Sequence, residues 1–432
     1  MSFKKISIVG LGYVGLPLAL EFAKAGLIVH GIEQNPKKVE MVNKGISYID
    51  DVKNDELLEV VNKGNLKAFI DFEPVKDSDA VIICVPTPLG PHKEPDISYI
   101  INVTTEISKY LKKGQLVVLE STTYPGTTEE VLVPILEKSG LKAGEDFYVA
   151  FSPERVDPGN KNFTTKDIPK VVGGINEVST EKAMKLYSII IPKIHKVSSP
   201  RVAEMEKLLE NIFRLVNISF INELAILCRK MNIDIWEVIS AASTKPYGFM
   251  PFYPGPGLGG HCIPIDPFYL SWKAKEYDFD VRFIELAGEI NDNMPRYVVQ
   301  LVMEALNNHR KPVNGSKILI IGVAYKPNIA DPRESPALKI IPLLEDLGGE
   351  VEFYDPYVSE IKIENSKTKE VKYMKSCVLD EGKVKNADCV LIVTDHDNID
   401  YEMIYKNAKL IVDTRNALRK RGISIDERVI LL

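Results

Sequence analysis

The stretch Pro254-Gly-Pro-Gly-Leu-Gly-Gly-His-Cys262-Ile-Pro-Ile-Asp266 presents one thiol and, four residues on, one carboxylate. Glycines carry no side chain to hold a ligand away from the backbone. Near the other end of the chain, Gly10-Leu-Gly12-Tyr-Val-Gly15 has the spacing of a dinucleotide fingerprint. A thiol beside a hydride acceptor can hold an aldehyde as a covalent adduct. Together the two motifs point to a thiol-using dehydrogenase, a reading that neither supports alone. His261 adjoins the thiol, but no second His or Cys stands at ligand spacing, so we expect it to position the loop and expect no metal site.

The fingerprint gains weight from its setting. It follows a strand pattern, Ile6 to Val9, and opens a helix pattern, and Glu33 closes the next strand pattern. Gly10 makes the tight turn, Gly12 lets a pyrophosphate approach, Gly15 permits close helix packing, and the helix amino end favours the anion. Glu33 is placed to accept the ribose hydroxyls and to repel a 2′-phosphate, which favours NAD over NADP, although Lys37 and Lys38 lie nearby.

These motifs need a scaffold. Short β-branched runs at Ile6 to Val9, Ile28 to Ile32, Ala80 to Val85, Leu116 to Leu119 and Phe147 to Phe151 alternate with helix-length segments, which implies a parallel sheet covered by helices. The rhythm returns at Lys317 to Val323, Val351 to Tyr354, Cys389 to Val393 and Leu410 to Val412. Lys5-Ile-Ser-Ile-Val-Gly10 echoes Lys317-Ile-Leu-Ile-Ile-Gly322, a weak internal repeat. The second copy lacks the later glycines, so it should not take a dinucleotide in the same way, and a mononucleotide is the alternative.

Between the repeats, Met205, Leu208, Leu209, Ile212, Leu215 and Val216 fall at helical spacing. The fold class expected is α/β: two Rossmann-like doubly wound domains joined by a long central helix within a helical middle domain. The expected limits are 1–199, 200–308 and 309–432. A helix with apolar residues on more than one face needs cover, and we expect a homodimer through the middle domain.

At 432 residues, with 45% hydrophobic and 26% charged residues, the chain reads as an ordinary multidomain globular protein. The net charge of −6 gives no basic footprint for nucleic acid. No apolar run approaches bilayer length and no signal-peptide pattern opens the chain, so the expectation is a cytoplasmic protein without a membrane span. The five cysteines are odd in number and scattered, which argues against a disulfide framework.

With these residues in view, the chain resembles the UDP-sugar 6-dehydrogenases, the family of UDP-glucose and UDP-N-acetylhexosamine dehydrogenases. The resemblance rests on Gly10 to Gly15, Val85-Pro-Thr-Pro88, Glu120-Ser-Thr-Thr-Tyr-Pro-Gly-Thr127, Ser152-Pro-Glu-Arg155, Glu204-Met-Glu-Lys207 with Asn211, Gly259-Gly-His-Cys262, and Tyr325-Lys-Pro with Asp331-Pro-Arg-Glu-Ser335. It implies a four-electron oxidation of the sugar C6 alcohol to a carboxylate by two NAD in turn. Cys262 would be the nucleophile, forming a thiohemiacetal and then a thioester. Asp266 would act through water as general base, Lys207 and Asn211 would stabilise oxyanions at C6, and Glu154 and Thr122 would serve deacylation.

The resemblance also implies cofactor contacts from Tyr13, Val14, Lys38, Pro86, Thr87, Ser121, Thr122 and Arg333. For the UDP-sugar it points to Glu154, Arg155, Lys207, Asn211, Tyr253, Gly255, Gly259, Lys326 and Arg415. Lys245, where many relatives carry arginine, would reach a neighbouring subunit's site. UDP-glucose enzymes usually place phenylalanine and lysine around the cysteine, whereas His261-Cys-Ile-Pro-Ile-Asp-Pro-Phe-Tyr269, with Pro153 to Gly159, is most similar to the N-acetylglucosamine branch. The mannosamine epimer differs only at C2. A two-electron hydroxyacid dehydrogenase and a non-catalytic nucleotide-sugar sensor are the competing readings, and neither has use for Cys262.

Overall fold

The computed structural model describes residues 3–49, 51–90, 93–155, 166–260, 262–365 and 368–432. His261 and residues 156–159 of the sugar motif therefore lie outside the described residues. The chain divides into two compact units, Met1–Glu210 with Phe268–Asp280, and Asn211–Pro267 with Val281–Leu432.

The first unit is built on eight strands: β1 (Lys5–Val9), β2 (Ile28–Ile32), β3 (Leu66–Phe69), β4 (Ala80–Ile83), β5 (Leu116–Leu119), β6 (Tyr148–Phe151), β7 (Lys170–Gly174) and β8 (Ile194–Lys196). Their order is β3-β2-β1-β4-β5-β6-β7-β8. This is the doubly wound order, whose direction reverses between β1 and β4, where such sheets open a crevice for ligands. Ile6 pairs with Ala80 and Val9 with Ile83 across that point. The sequence calls for parallel strands, and β6 to β7 is an antiparallel exception.

All four residues of β4 and of β5 are buried, the signature of strands covered by helices on both faces. Each Val, Leu or Ile among them contributes about 1.5–3 kcal/mol of burial. The helix Gly15–Lys24 lays Leu16, Ala19, Leu20 and Ala23 onto the sheet, where they join Ile6, Ile8 and Val29 in one core.

The second unit carries β9 (Lys317–Ile321), β10 (Glu350–Tyr354), the hairpin strands β11 (Glu360–Glu364) and β12 (Val371–Lys375), then β13 (Cys389–Ile392), β14 (Ile411–Asp413) and β15 (Val429–Leu431). Five of these form a parallel sheet in the order β10-β9-β13-β14-β15. The echo seen in the sequence is structural. Gly10 has φ +91° and an ideal Cβ there would stand 2.5 Å from the Cys84 carbonyl oxygen; Gly322 has φ +81° and its Cβ would stand 2.3 Å from that of Thr394. Both first strands end in the same turn, which excludes a side chain.

One helix, Pro200–Lys230, runs from the first unit into the second. It corrects one expectation. By length and composition it is apolar enough to cross a bilayer, a property that core helices share. Its apolar residues are interrupted by Asn and Ser and by the charges of Arg214 and Glu223, so no continuous run betrays it while an 18-residue window does. A further helix, Arg282–Asn308, packs Val298, Leu301, Val302 and Ala305 against the second sheet.

Candidate active site

In the first unit the sequence-assigned groups gather at the carboxyl ends of β1, β2 and β4 to β6. An ideal Cβ on Gly15 would stand 1.8 Å from the Gly10 carbonyl oxygen, so the helix can start this close to the turn only with glycine there. A Cβ on Gly12 would meet nothing within 4 Å. The open face at Gly12, above a helix amino end, fits the pyrophosphate of NAD.

Glu33 is oriented by backbone donors: the Leu11 N–H reaches Oε2 at 3.2 Å and the Asn35 N–H reaches Oε1 at 3.0 Å. A carboxylate has about four acceptor sites, so capacity for ribose hydroxyls persists. Tyr48, which sequence reasoning missed, donates to the Leu11 carbonyl at 2.6 Å and lies under the Lys38 ammonium, 5.0 Å from the ring centre. Tyr13 is exposed on the loop. Ser121 donates to the Val85 carbonyl at 2.8 Å, and Tyr269 donates to the Thr87 carbonyl, which fixes the loop that contains Pro86. Thr122 is half-buried beside Ser121.

Glu154 follows β6. The Arg155 N–H donates to its Oε1 at 2.8 Å, the Lys170 ammonium stands 3.5 Å from its Oε2, and Lys207 donates to its backbone carbonyl. Glu154, Lys207 and Lys170 are thus brought together. Arg155 is turned the other way: its Nε donates to Glu210 at 3.1 Å and its Nη1 to the Pro169 carbonyl at 2.7 Å. Glu204 accepts from the Gly126 and Thr128 N–H groups at 2.6 and 2.9 Å and so ties the long helix to the Tyr124–Thr128 turn. The sequence reading did not single out Lys170, or Glu120 on its far side, as neighbours of Glu154. A lysine at the head of the apolar run Lys170-Val-Val-Gly-Gly was the available signal.

In the second unit Cys262 is exposed at the first position of the helix Cys262–Ala274, and Asp266, one turn on, is buried. Asn211 donates from Nδ2 to Asp266 Oδ2 at 2.7 Å, and its Oδ1 accepts from Arg214. Asp266 is the fifth residue of that helix. The other cysteines differ: Cys389 is buried in the sheet, while Cys84 and Cys228 pack against apolar cores.

The loop before Cys262 is held by the chain itself. The Gly255 N–H donates to Asn222 at 2.9 Å, and Asn222 donates to Asn291 at 2.9 Å; both asparagines are buried and both escaped the sequence reading. A Cβ on Gly255 would stand 2.5 Å from an Arg415 guanidinium nitrogen, and one on Gly259 would stand 2.7 Å from the Tyr325 Cβ. The Gly260 N–H donates to the Arg333 carbonyl at 3.1 Å. Thus the loop glycines, Tyr325 to Ser335 and Arg415 form one cluster. Arg415 donates to the Val393 carbonyl at 2.8 Å, Arg333 forks onto Asp331 at 2.6 to 3.0 Å, and Lys326 is half-buried beside Tyr325. Tyr253 stacks on Trp236 at 6.0 Å, and Lys245 is exposed over the Tyr247 ring.

Comparison with known proteins shows the family. Three profiles of the UDP-glucose/GDP-mannose dehydrogenase family match: its NAD binding domain at residues 4–191, its central domain at 201–293 and its UDP binding domain at 319–420. A UDP-N-acetyl-D-glucosamine 6-dehydrogenase of Pseudomonas aeruginosa is 41% identical over 82% of this chain and 83% of its own. A UDP-N-acetyl-D-mannosamine dehydrogenase of Pyrococcus horikoshii is 36% identical over 96% of each chain. A solved UDP-D-ManNAc dehydrogenase structure from Pyrococcus horikoshii superposes with a TM-score of 0.86 at 34% identity, covering 99% of this chain and 98% of that one. The chain therefore belongs to the UDP-glucose/GDP-mannose dehydrogenase family and is an NAD-dependent oxidoreductase acting on UDP-sugars.

Proposed function

We propose that this chain oxidises the C6 alcohol of a UDP-N-acetylhexosamine to the carboxylate through an adduct on Cys262, with UDP-N-acetylglucosamine as the preferred sugar. The observation that carries the thiol route is the pair on one helix: an exposed Cys262 at the amino end and a buried Asp266 one turn on, held by Asn211.

Bound NAD supplies the hydride acceptor for each oxidation. Asp266, through water, takes the proton that the C6 hydroxyl loses. The Cys262 thiolate adds to the resulting aldehyde and gives a thiohemiacetal, and a helix amino end favours that anionic nucleophile. Lys207 and one of the two Asn211 amide protons stabilise the oxygen at C6, a role typically worth about 3 to 4 kcal/mol per donor. Loss of the second hydride leaves a thioester. Water oriented by Glu154 and Thr122 then cleaves it, releasing the carboxylate and restoring the thiol. Lys326, Arg415, Tyr253, Gly255 and Gly259 hold the UDP-sugar.

The Pseudomonas relative and the Ile263-Pro-Ile-Asp266 pattern support the gluco epimer. The Pyrococcus relative supports the manno epimer as the second reading. Three domains, 1–199, 200–308 and 309–432, divide the work. A homodimer forms through the middle one, where Val202, Met205, Leu209, Phe213, Phe220 and Leu227 leave an exposed apolar stripe on the long helix.

The test is NADH formation with a panel of UDP-hexoses, including both acetamido epimers and UDP-glucose. Fastest turnover of UDP-N-acetylglucosamine, with two NADH per carboxylate, is expected. Cys262→Ser must lose carboxylate formation; unchanged turnover in that variant overturns the thioester route. Silence with every sugar favours the sensor.

A further inference from the structure

Behind Glu154, the first unit holds a charged cluster to which the steps above give no role. Lys170 opens β7 with its side chain 5% exposed. Its ammonium stands 3.1 Å from Glu120 Oε2 and 3.5 Å from Glu154 Oε2. Glu120, just past β5, is buried, and its other oxygen accepts from the Tyr187 hydroxyl. Tyr187 closes the helix Glu177–Tyr187, and its ring lies 5.1 Å from the same ammonium. The polar chain Tyr187, Glu120, Lys170, Glu154 runs from the core to a carboxylate that is 18% exposed.

A buried ammonium is costly unless well paired. Burial works against the charge on Lys170, but the Glu120 and Glu154 carboxylates hold its pKa above the ordinary value, so the cation persists. Glu154 is then constrained at three atoms: Lys170 faces Oε2, the Arg155 N–H meets Oε1, and Lys207 meets the backbone carbonyl. A side chain pinned in this way retains lone pairs in fixed directions. Orienting partners of this kind matter because a misplacement of about 1 Å can cost roughly 100-fold in rate.

We propose that Lys170, backed by Glu120 and Tyr187, is a positioning residue that aims the Glu154 carboxylate at the water which cleaves the Cys262 thioester. The proposal rests on the deacylation role given to Glu154 above. The thioester carbonyl gains the water oxygen, the C–S bond breaks, and Glu154 receives a water proton that passes to solvent. No further reactant is needed.

The test is intact-protein mass spectrometry of enzyme quenched during turnover with NAD and the UDP-hexose that the wild type oxidises fastest. Glu154→Gln accumulates an acyl adduct on Cys262. Lys170→Met should accumulate the same adduct, with kcat lower by up to roughly 100-fold, the scale of a misplacement of about 1 Å, and with KM little changed. Lys170→Arg should clear the adduct in part. Should Lys170→Met fail to fold, Lys170→Met with Glu120→Gln removes the stranded carboxylate and is read in its place. A folded Lys170 variant without adduct, beside a Glu154→Gln protein that carries it, overturns the proposal and leaves the Glu154 role intact. Absence of adduct in both removes the Glu154 role, and the proposal with it.

Discussion

Asn211 donates to Asp266 at 2.7 Å inside the second unit, so the long helix holds the carboxylate that stands one turn from Cys262. Asn211→Asp places two carboxylates at hydrogen-bonding distance in a buried site, where both cannot ionise. One takes a proton with a raised pKa, so the stability of this variant is greatest at low pH and is lost as pH rises through that value. Urea unfolding should show a loss of about 3 kcal/mol at neutral pH and a smaller loss near pH 5. Equal losses at both would refute the coupling.

Two glycines of one loop should differ in how the same added methyl affects stability. Gly15→Ala drives a Cβ into the Gly10 carbonyl, so thermal stability should fall together with NAD binding. Gly12→Ala meets no atom of the chain within 4 Å. Its melting temperature should stay near wild type while its NAD affinity drops by more than about tenfold, since only the ligand contests that space. Calorimetric titration with NAD beside thermal melts checks both.

Glu33 is fixed by the Leu11 and Asn35 N–H groups before any ligand arrives. Hydrogen bonds to a charged group contribute about 1.5 to 3 kcal/mol, so Glu33→Ala should raise the KM for NAD by roughly 10- to 100-fold with little change in kcat. It should also narrow the preference over NADP. An unchanged ratio of kcat/KM for the two cofactors would count against Glu33 as the discriminator.

Glu206 and Glu210 share Arg155, at 3.4 and 2.5 Å. Burial, and then the neighbouring Glu210, push Glu206 up to about 7, while Arg155 holds Glu210 low in spite of burial. The folded state therefore binds more protons than the unfolded chain between the ordinary value of 4.5 and about 7. Stability linked to Glu206 is fully present below that window and is lost as pH rises through it. Glu206→Gln should melt at a higher temperature than wild type at pH 8 relative to the difference at pH 5. A pH-independent difference would argue against it.

The features legible in the sequence were those whose physics is local. A turn at Gly10 and a helix start at Gly15 need absent side chains at set spacing, and strands such as Ala80–Ile83 and Leu116–Leu119 need unbroken apolar runs. The same holds for Cys262 and Asp266, since four residues on one helix always bring two side chains together. Strands with mixed patterns, such as Glu360–Glu364 and Val371–Lys375, were not legible, because alternation on a small exposed hairpin resembles a polar loop.

The chain's linear pattern was thus enough for the two nucleotide-type folds and the cofactor, and it set Cys262 and Asp266 one helical turn apart. Which charges answer one another followed from packing, not from spacing along the chain. Lys170, Glu120 and Tyr187 come from the start of β7, the position just past β5 and the end of a helix, and meet because β7 runs antiparallel to β6 and so begins on the side of the sheet where β5 and β6 end. Asn222, Asn291 and Gly255 likewise meet only once the long helix and its neighbour are packed. A buried polar group must find its partner wherever folding places it, and no linear spacing records that address.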